Sequence, residues 1–329
     1  MMAHSEHFER ANGSAPMEYS FIVPVCNEQD TLQQLFEHVQ HTLNKLNVQT
    51  FEILFIDDGS QDQSWSKIAA LQQQHPQSVR GIRLRRNFGK ATALSVGFER
   101  AIGEIIFTID ADLQDDPCEI PRFIDKLNEG YDMVSGWKET RHDPLSKTLP
   151  SKLFNIVTRL FSGMQLHDFN CGFKAYRRAV VKRLNLYGEL HRFIPIMANA
   201  EGFHVTEIPV VHHPRKHGNS KYGWSRLYKG FLDLLTVLSF TRYAQRPAHF
   251  FGGVGILLSV AGVGILGYFT VLKILGNDIG WRPLFLVGIL ILLLAAQLIS
   301  LGIIGEMIVR NNHQPASDNF IVKDTGTPK

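Results

Sequence analysis

Residues Glu104–Pro117 read EIIFTIDADLQDDP. The apolar, β-rich run EIIFTI predicts a strand, and the strand runs directly into Asp110-Ala111-Asp112. Carboxylates at the end of such a strand lie on its carboxyl edge, where open α/β sheets bind their ligands. Alternate side chains of a strand share one face, and a turn lets Asp110 and Asp112 converge on one cation. Carboxylate oxygens suit a hard ion such as Mg2+ or Mn2+, which keeps waters and holds substrate phosphates. A D-x-D also occurs in ordinary acidic loops; its place after an apolar strand is what gives it weight.

The same pattern recurs upstream. Tyr19–Val25 (YSFIVPV) runs into Asn27-Glu28, Phe51–Ile56 (FEILFI) into Asp57-Asp58-Gly59-Ser60, and Val79–Leu84 predicts a third strand. Between them, residues 28–46 place Leu32, Leu35, Phe36, Val39, Leu43 and Leu46 at helical spacing. Residues 64–74 and Lys90–Ala101 also read as helices. This alternation predicts an α/β domain on a parallel sheet covered on both faces. The carboxylates of Asp57 and Asp58 are suited to a ribose hydroxyl or a base N–H. Asp, Gly and Ser equally favour turns, and Asn27 is placed to cap the following helix.

Downstream, residues 144–164 are amphipathic and residues 173–210 return to mixed α/β. The segment 224–240 (WSRLYKGFLDLLTVLSF) combines aromatic residues with Arg226 and Lys229, a pattern suited to a helix in a membrane interface. A core helix is the other reading. From Pro247 to Leu272, and again from Pro283 to Gly305, there is no Asp, Glu, Lys or Arg. Each run exceeds the ~20 helical residues that cross a ~30 Å hydrocarbon core. The mean hydropathy of −0.06 therefore averages two unlike parts. Arg242, Arg246 and Arg310 flank the spans on one side, and Lys273 and Arg282 on the other, which favours a cytosolic main domain and C-terminus in an inner membrane protein.

A formal charge of +3 is too mild for a nucleic-acid binder. Cys26, Cys118 and Cys171 have no C-x-x-C spacing and indicate neither a disulfide framework nor zinc. His212, His213 and His217, beside Pro214 and basic residues, read as a loop rather than a transition-metal site. The polar first residues predict a leader without a cleavable signal sequence.

P-V-x-N-E (Pro24–Glu28), D-D-G-S, R-N-F-G-K (Arg86–Lys90), D-A-D-L-Q and C-G-F-K (Cys171–Lys174) occur in this order. The set resembles family 2 glycosyltransferases of the GT-A fold. Within that family it is similar to the polyprenyl-phosphate glycosyltransferases, which include dolichol-phosphate mannose synthases and bactoprenol glucosyltransferases. The resemblance implies an α/β, Rossmann-like nucleotide-diphospho-sugar transferase domain with a C-terminal two-helix transmembrane hairpin. The parts are a leader (1–18), the catalytic domain (19–223), an interfacial helix and linker (224–246), the hairpin (247–310, spans about 247–273 and 283–309) and a tail (311–329).

It also implies site residues. Pro24, Glu28, Asp57, Asp58, Lys90 and Ala111 would line the nucleotide-sugar pocket. Asp110, Asp112 and Gln114 would serve a Mg2+ or Mn2+ and the diphosphate. Lys138 and Arg141, in W-K-E-T-R, stand where basic residues follow a glycine. Arg215, Ser220 and Lys221, in R-x-x-G-x-S-K-Y, match a loop that closes over the diphosphate and the acceptor phosphate. Arg192 and Arg215 are the cations favoured for that phosphate, and Asp168 is the carboxylate placed beside the reacting centre. Two anions must approach each other, and a divalent ion with Lys and Arg neutralises that charge. A phosphate monoester, with a second pKa near ~6, is already ionised at neutral pH and needs no strong base.

The expected reaction is inverting transfer of a hexosyl group, first of all glucose from UDP-glucose, to undecaprenyl or another polyprenyl phosphate. GDP-mannose, UDP-GlcNAc and a modified aminosugar are alternatives, and a non-catalytic membrane scaffold is a second one. A processive synthase would carry Q-x-x-R-W, which is absent from the sequence. Expected partners are the donor, the lipid acceptor, membrane lipid, a second copy of the chain and a lipid-linked-sugar flippase, with no nucleic acid.

Overall fold

The computed structural model describes residues 17–139, most of 155–213, 247–276 and 283–312. Residues 1–16 of the leader, Arg141, Arg215, Ser220, Lys221, the segment 224–246 and the tail beyond Asn312 lie outside the described residues.

The first unit alternates β1 (Tyr19–Val25), α1 (Leu32–Lys45), β2 (Phe51–Asp57), α2 (Ser64–Gln74), β3 (Val79–Arg83), α3 (Lys90–Arg100) and β4 (Ile105–Thr108). It continues with α4 (Ile120–Asn128), β5 (Met133–Lys138), β6 (Lys174–Arg177), α5 (Arg178–Val181), α6 (Ile194–Ala200) and β7 (Val205–Val210). Every residue of β2 is buried, as a strand covered on both faces requires. Helix α1 buries Leu32, Leu35, Phe36, Val39 and Leu43, the stripe that its spacing predicted. It starts at Leu32 rather than 28, because the preceding residues are held in a loop.

The sheet has seven strands in the order β3-β2-β1-β4-β6-β5-β7. It is mixed rather than wholly parallel. β6 runs antiparallel to both β4 and β5, while the other pairs are parallel. A four-residue strand such as KAYR carries no sign of its direction; the edge at which the preceding segment ends decides it. The core beneath is aromatic. Phe21 stacks on Phe107 at 4.9 Å, and Phe123 packs on Phe173 at 4.5 Å.

At the amino ends of the strands, buried Glu52 accepts from Ser20 Oγ (2.6 Å), Ile102 N (2.9 Å) and Arg80 (2.9 Å). This carboxylate is fully satisfied, as a buried one must be. The carboxylates at the opposite edge are used differently.

The second unit is a pair of helices, α7 (Pro247–Ile274) and α8 (Pro283–Asn312), both long and apolar enough to cross a membrane. They pack closely through glycines. A Cβ on Gly255 would lie 2.6 Å from Ile299, and one on Gly262 2.7 Å from Leu292. Glu306 Oε2 accepts from Ala248 N at 3.3 Å, tying the end of one helix to the start of the other.

Candidate active site

Chain order sets the location. β1 leads to β2 and β3 on one side and β4 returns on the other, so the strand order reverses between β1 and β4. The crevice beyond the carboxyl ends of such neighbours is the usual ligand site. Ile109 N donates to Ile22 O (3.2 Å) and Asp58 N to Val25 O (2.8 Å), which brings Pro24, Asp57-Asp58 and Asp110 to this edge.

Three loops are woven together there. Asn27 adopts φ +57°, accepts from Gln61 N through Oδ1 (2.8 Å) and donates its own N–H to Ser60 Oγ (3.0 Å). It therefore latches the second loop and does not cap α1. Glu28 N donates to Ser64 Oγ at 2.9 Å. Asp57 is completely buried, accepts from Ser60 N (3.0 Å) and lies 3.2 Å from Arg83 Nε. Asp58 accepts from Phe88 N (2.7 Å) and Gly89 N (2.9 Å), holding R-N-F-G-K just ahead of α3. Gly59, at φ +70°, lets the loops touch, since a Cβ would lie 2.5 Å from Arg86 C and Asn87 N. Both Asp side chains thus hold the loops at this edge in place.

The latched loop delivers Lys90, whose Nζ lies 2.5 Å from Asp110 Oδ1. On its other side Asp110 is backed by Gly172, where a Cβ would meet Oδ2 at 2.5 Å. D-A-D and C-G-F-K, far apart in sequence, are therefore in contact. Asp110 and Asp112 stay partly exposed and Ala111 between them is buried. Asp112 Oδ1 accepts from Gln114 N at 3.3 Å, and Leu113 takes φ +59° to make that turn. The end of β7 is bound to this loop. His213 N donates to Gln114 O (2.8 Å), and Gln114 Nε2 lies 3.4 Å from both His213 O and the His212 ring.

Asp115, which sequence reasoning passed over, is buried 3.3 Å from Lys138 Nζ and 3.9 Å from His212 Nδ1. Burial opposes its ionisation, but the Lys138 charge and His212 outweigh it and hold the carboxyl well below the usual range. Burial likewise opposes the Lys138 charge. Asp115, then Cys171, Asp110 and Asp168, overcome this and raise it above an ordinary lysine. Burial, aided by Asp115, pushes the Cys171 thiol up to about 12, so it is an inert packing group. In the sequence Asp115 reads as one more solvated acid in an acidic turn, and only its contact with Lys138 distinguishes it.

Asp168 is buried and accepts from Asn170 N at 3.0 Å. Arg192 is buried in the short turn Leu190–Phe193 that precedes α6. Asp110 and Asp168, like Asp115, favour the charged form of Lys138. Lys174, the last residue of C-G-F-K, is buried and donates to Cys171 O. Among the described residues, no group of three His, Cys, Asp or Glu could hold a metal by itself. Two part-exposed carboxylates, one of them beside Lys90, instead suit an ion that a substrate diphosphate helps to ligate.

The sequence profile of glycosyl transferase family 2 matches residues 20–184. The chain is 39% identical to a dodecaprenyl-phosphate galacturonate synthase of Rhizobium johnstonii, over 93% of this chain and 92% of the relative. It is 38% identical to an undecaprenyl-phosphate 4-deoxy-4-formamido-L-arabinose transferase of Shewanella sediminis, over 88% and 87%. Among solved structures, glucosyl-3-phosphoglycerate synthase from Mycobacterium tuberculosis, in complex with Mg2+ and uridine diphosphate, shares the fold. Its TM-score is 0.52 at 18% identity, over 68% of this chain and 78% of that one. The mixed sheet is thus of the GT-A type.

Proposed function

The chain belongs to glycosyl transferase family 2, and from that premise we propose that it transfers a glycosyl group from a nucleotide-diphosphate sugar to a polyprenyl phosphate. The observation that carries the reading is the setting of Asp110, held between Lys90 and Gly172 at the point where strand order reverses.

Asp110 and Asp112, with Gln114 beside them, would hold a Mg2+ or Mn2+, for which oxygen donors are apt. When bound, the ion supplies positive charge to a diphosphate leaving group. Lys90 adds a fixed cation at the same edge, and Asp58 keeps it there by ordering the preceding amides. Arg192 and Arg215 receive the acceptor phosphate. The segment bearing Arg215 follows His213, which is bonded to the acidic loop. The acceptor is already anionic, so the protein's task is positioning and charge stabilisation rather than proton removal. Asp168 orients the sugar or the acceptor.

The family resemblance alone favours glucose. The relatives that match nearly the whole chain are named for galacturonate and 4-deoxy-4-formamido-L-arabinose. These names support a modified sugar, with a uronosyl donor first. α7 and α8 form a membrane hairpin that keeps the catalytic unit at the cytosolic surface, where lipid acceptor and soluble donor meet. Labelling cysteines introduced at Asn277 and Ser317 should then report opposite sides.

The test is transfer from labelled UDP-galacturonate, UDP-glucose and UDP-GlcNAc to undecaprenyl phosphate by the full chain, with Mn2+ or with EDTA. A single-sugar lipid formed fastest from the uronate supports the reading. Faster transfer from glucose returns the donor to the simple hexose, a polymer indicates a processive enzyme, and no transfer from any donor indicates the scaffold.

A further inference from the structure

Lys174 opens β6 and is paired with Thr108, the last residue of β4. Their side chains therefore lie together on one face of the sheet. Thr108 Oγ1 donates to Gly172 O at 2.8 Å, and Lys174 Nζ donates to Cys171 O. Two successive carbonyls of the turn before β6 are thus held by two paired residues. Gly172 is the residue whose Cα backs the Asp110 carboxylate.

An ammonium is an expensive choice for such a task. Taking it out of water is unfavourable by several kcal/mol unless charge and hydrogen bonds compensate. Lys174 is only 3% exposed. Burial lowers its pKa and Lys90 lowers it further, while Cys171, Asp168 and Asp110 oppose the shift. It lines a small pocket with Lys90, Thr108, Gly172, Asn170 and His191.

We propose that Lys174 is a positioning residue for Asp110: it draws in the Cys171 carbonyl and so sets Gly172 as the stop against which the carboxylate rests. The carboxylate is then clamped between Lys90 on one side and this turn on the other. The proposal rests on the reading of Asp110 as a ligand of the ion and the diphosphate. On this reading Lys174 acts through Gly172 and not on either substrate.

The experiment uses the full chain in detergent and measures UDP binding in the presence of Mn2+, together with separate kcat and KM values for each substrate. For Lys174→Met we expect about tenfold weaker Mn2+-dependent UDP binding and about a hundredfold lower kcat, as for a reacting group displaced by ~1 Å. KM for the lipid acceptor should stay within about threefold. Lys174→Gln keeps an N–H donor without the charge and should recover most of the loss. Thr108→Val, which frees the other carbonyl, should show the same pattern and stands in if Lys174→Met does not fold. Unchanged UDP binding and kcat in both variants overturn the proposal. A raised acceptor KM with kcat retained also overturns it, making Lys174 an acceptor ligand. If the wild-type chain itself shows no Mn2+-dependent UDP binding, the reading of Asp110 fails instead.

Discussion

Gly172→Ala adds one methyl group where the turn before β6 touches Asp110. The new Cβ would lie 2.5 Å from Oδ2, 2.7 Å from Cγ and 2.9 Å from Oδ1. Carbon and oxygen in close contact sit at about 3.3–3.6 Å, so the carboxylate must retreat by roughly 1 Å. Gly172 is outside the left-handed region, and alanine meets no backbone penalty there. Any retreat disturbs the contact with Lys90 Nζ, which now lies 2.5 Å from Oδ1 on a partly exposed side chain. A shift of that size in a positioned group lowers rate about a hundredfold, or about 2.7 kcal/mol in the barrier. Overpacking should remove about 1–3 kcal/mol of stability, which leaves the chain folded if its reserve is ordinary. The assay is sugar transfer at saturating donor and acceptor, repeated over a Mn2+ series. We expect kcat to fall and the Mn2+ requirement to rise. Turnover within threefold of wild type, with an unchanged Mn2+ series, would refute the placement of Asp110 in the machinery.

Asp112→Ala should abolish transfer by several powers of ten while the melting temperature holds, since a part-exposed carboxylate that serves the ion is not part of the core; turnover retained in EDTA would sink the metal reading. Lys138→Met leaves Asp115 buried without its main counter-ion and should destabilise the chain by about 3–5 kcal/mol, read as a lower denaturant midpoint. The pH dependence should also change sign. In the wild type Asp115 is depressed, so its contribution is present above the unfolded value near ~3.9 and is lost as pH falls through the folded one. In Lys138→Met its folded value should rise above the unfolded value, so acidification from neutral pH should raise the melting temperature, and an unaltered profile would show that the pair is not coupled. Arg215→Ala should lower kcat and raise acceptor KM, with partial recovery in Arg215→Lys because a point charge lacks the bidentate fork; full activity at limiting and saturating acceptor would place the phosphate elsewhere.

The strands β1 to β4 and the helices between them were readable because apolar spacing is a local property, and each landed within a few residues of its expected place. The start of α1 was not, because Asn27 and Glu28 are engaged by Gln61 and Ser64, contacts more than thirty positions away. The acidic pair Asp57-Asp58 stood out in the sequence, but the loop contacts it makes did not. Only the fold reveals that Asp58 gives both oxygens to the Phe88 and Gly89 amides. The partnership of Asp115 with Lys138 was invisible for the same reason: nothing in a run of acidic residues distinguishes the one that turns inward. The direction of β6 was equally silent, and with it the contact between Gly172 and Asp110.

That reversed strand has an evolutionary corollary. β5 ends at Lys138 and β6 begins at Lys174, and the two are antiparallel neighbours paired through Ser135 and Lys174. Residues 139–173 therefore leave and rejoin the sheet on one edge, next to Asp110. The length of such an excursion is not fixed by the strands it joins, but Gly172 at its returning end must keep its place against Asp110. Changes of length ahead of that turn therefore leave the ladder beneath presenting the same carboxylates.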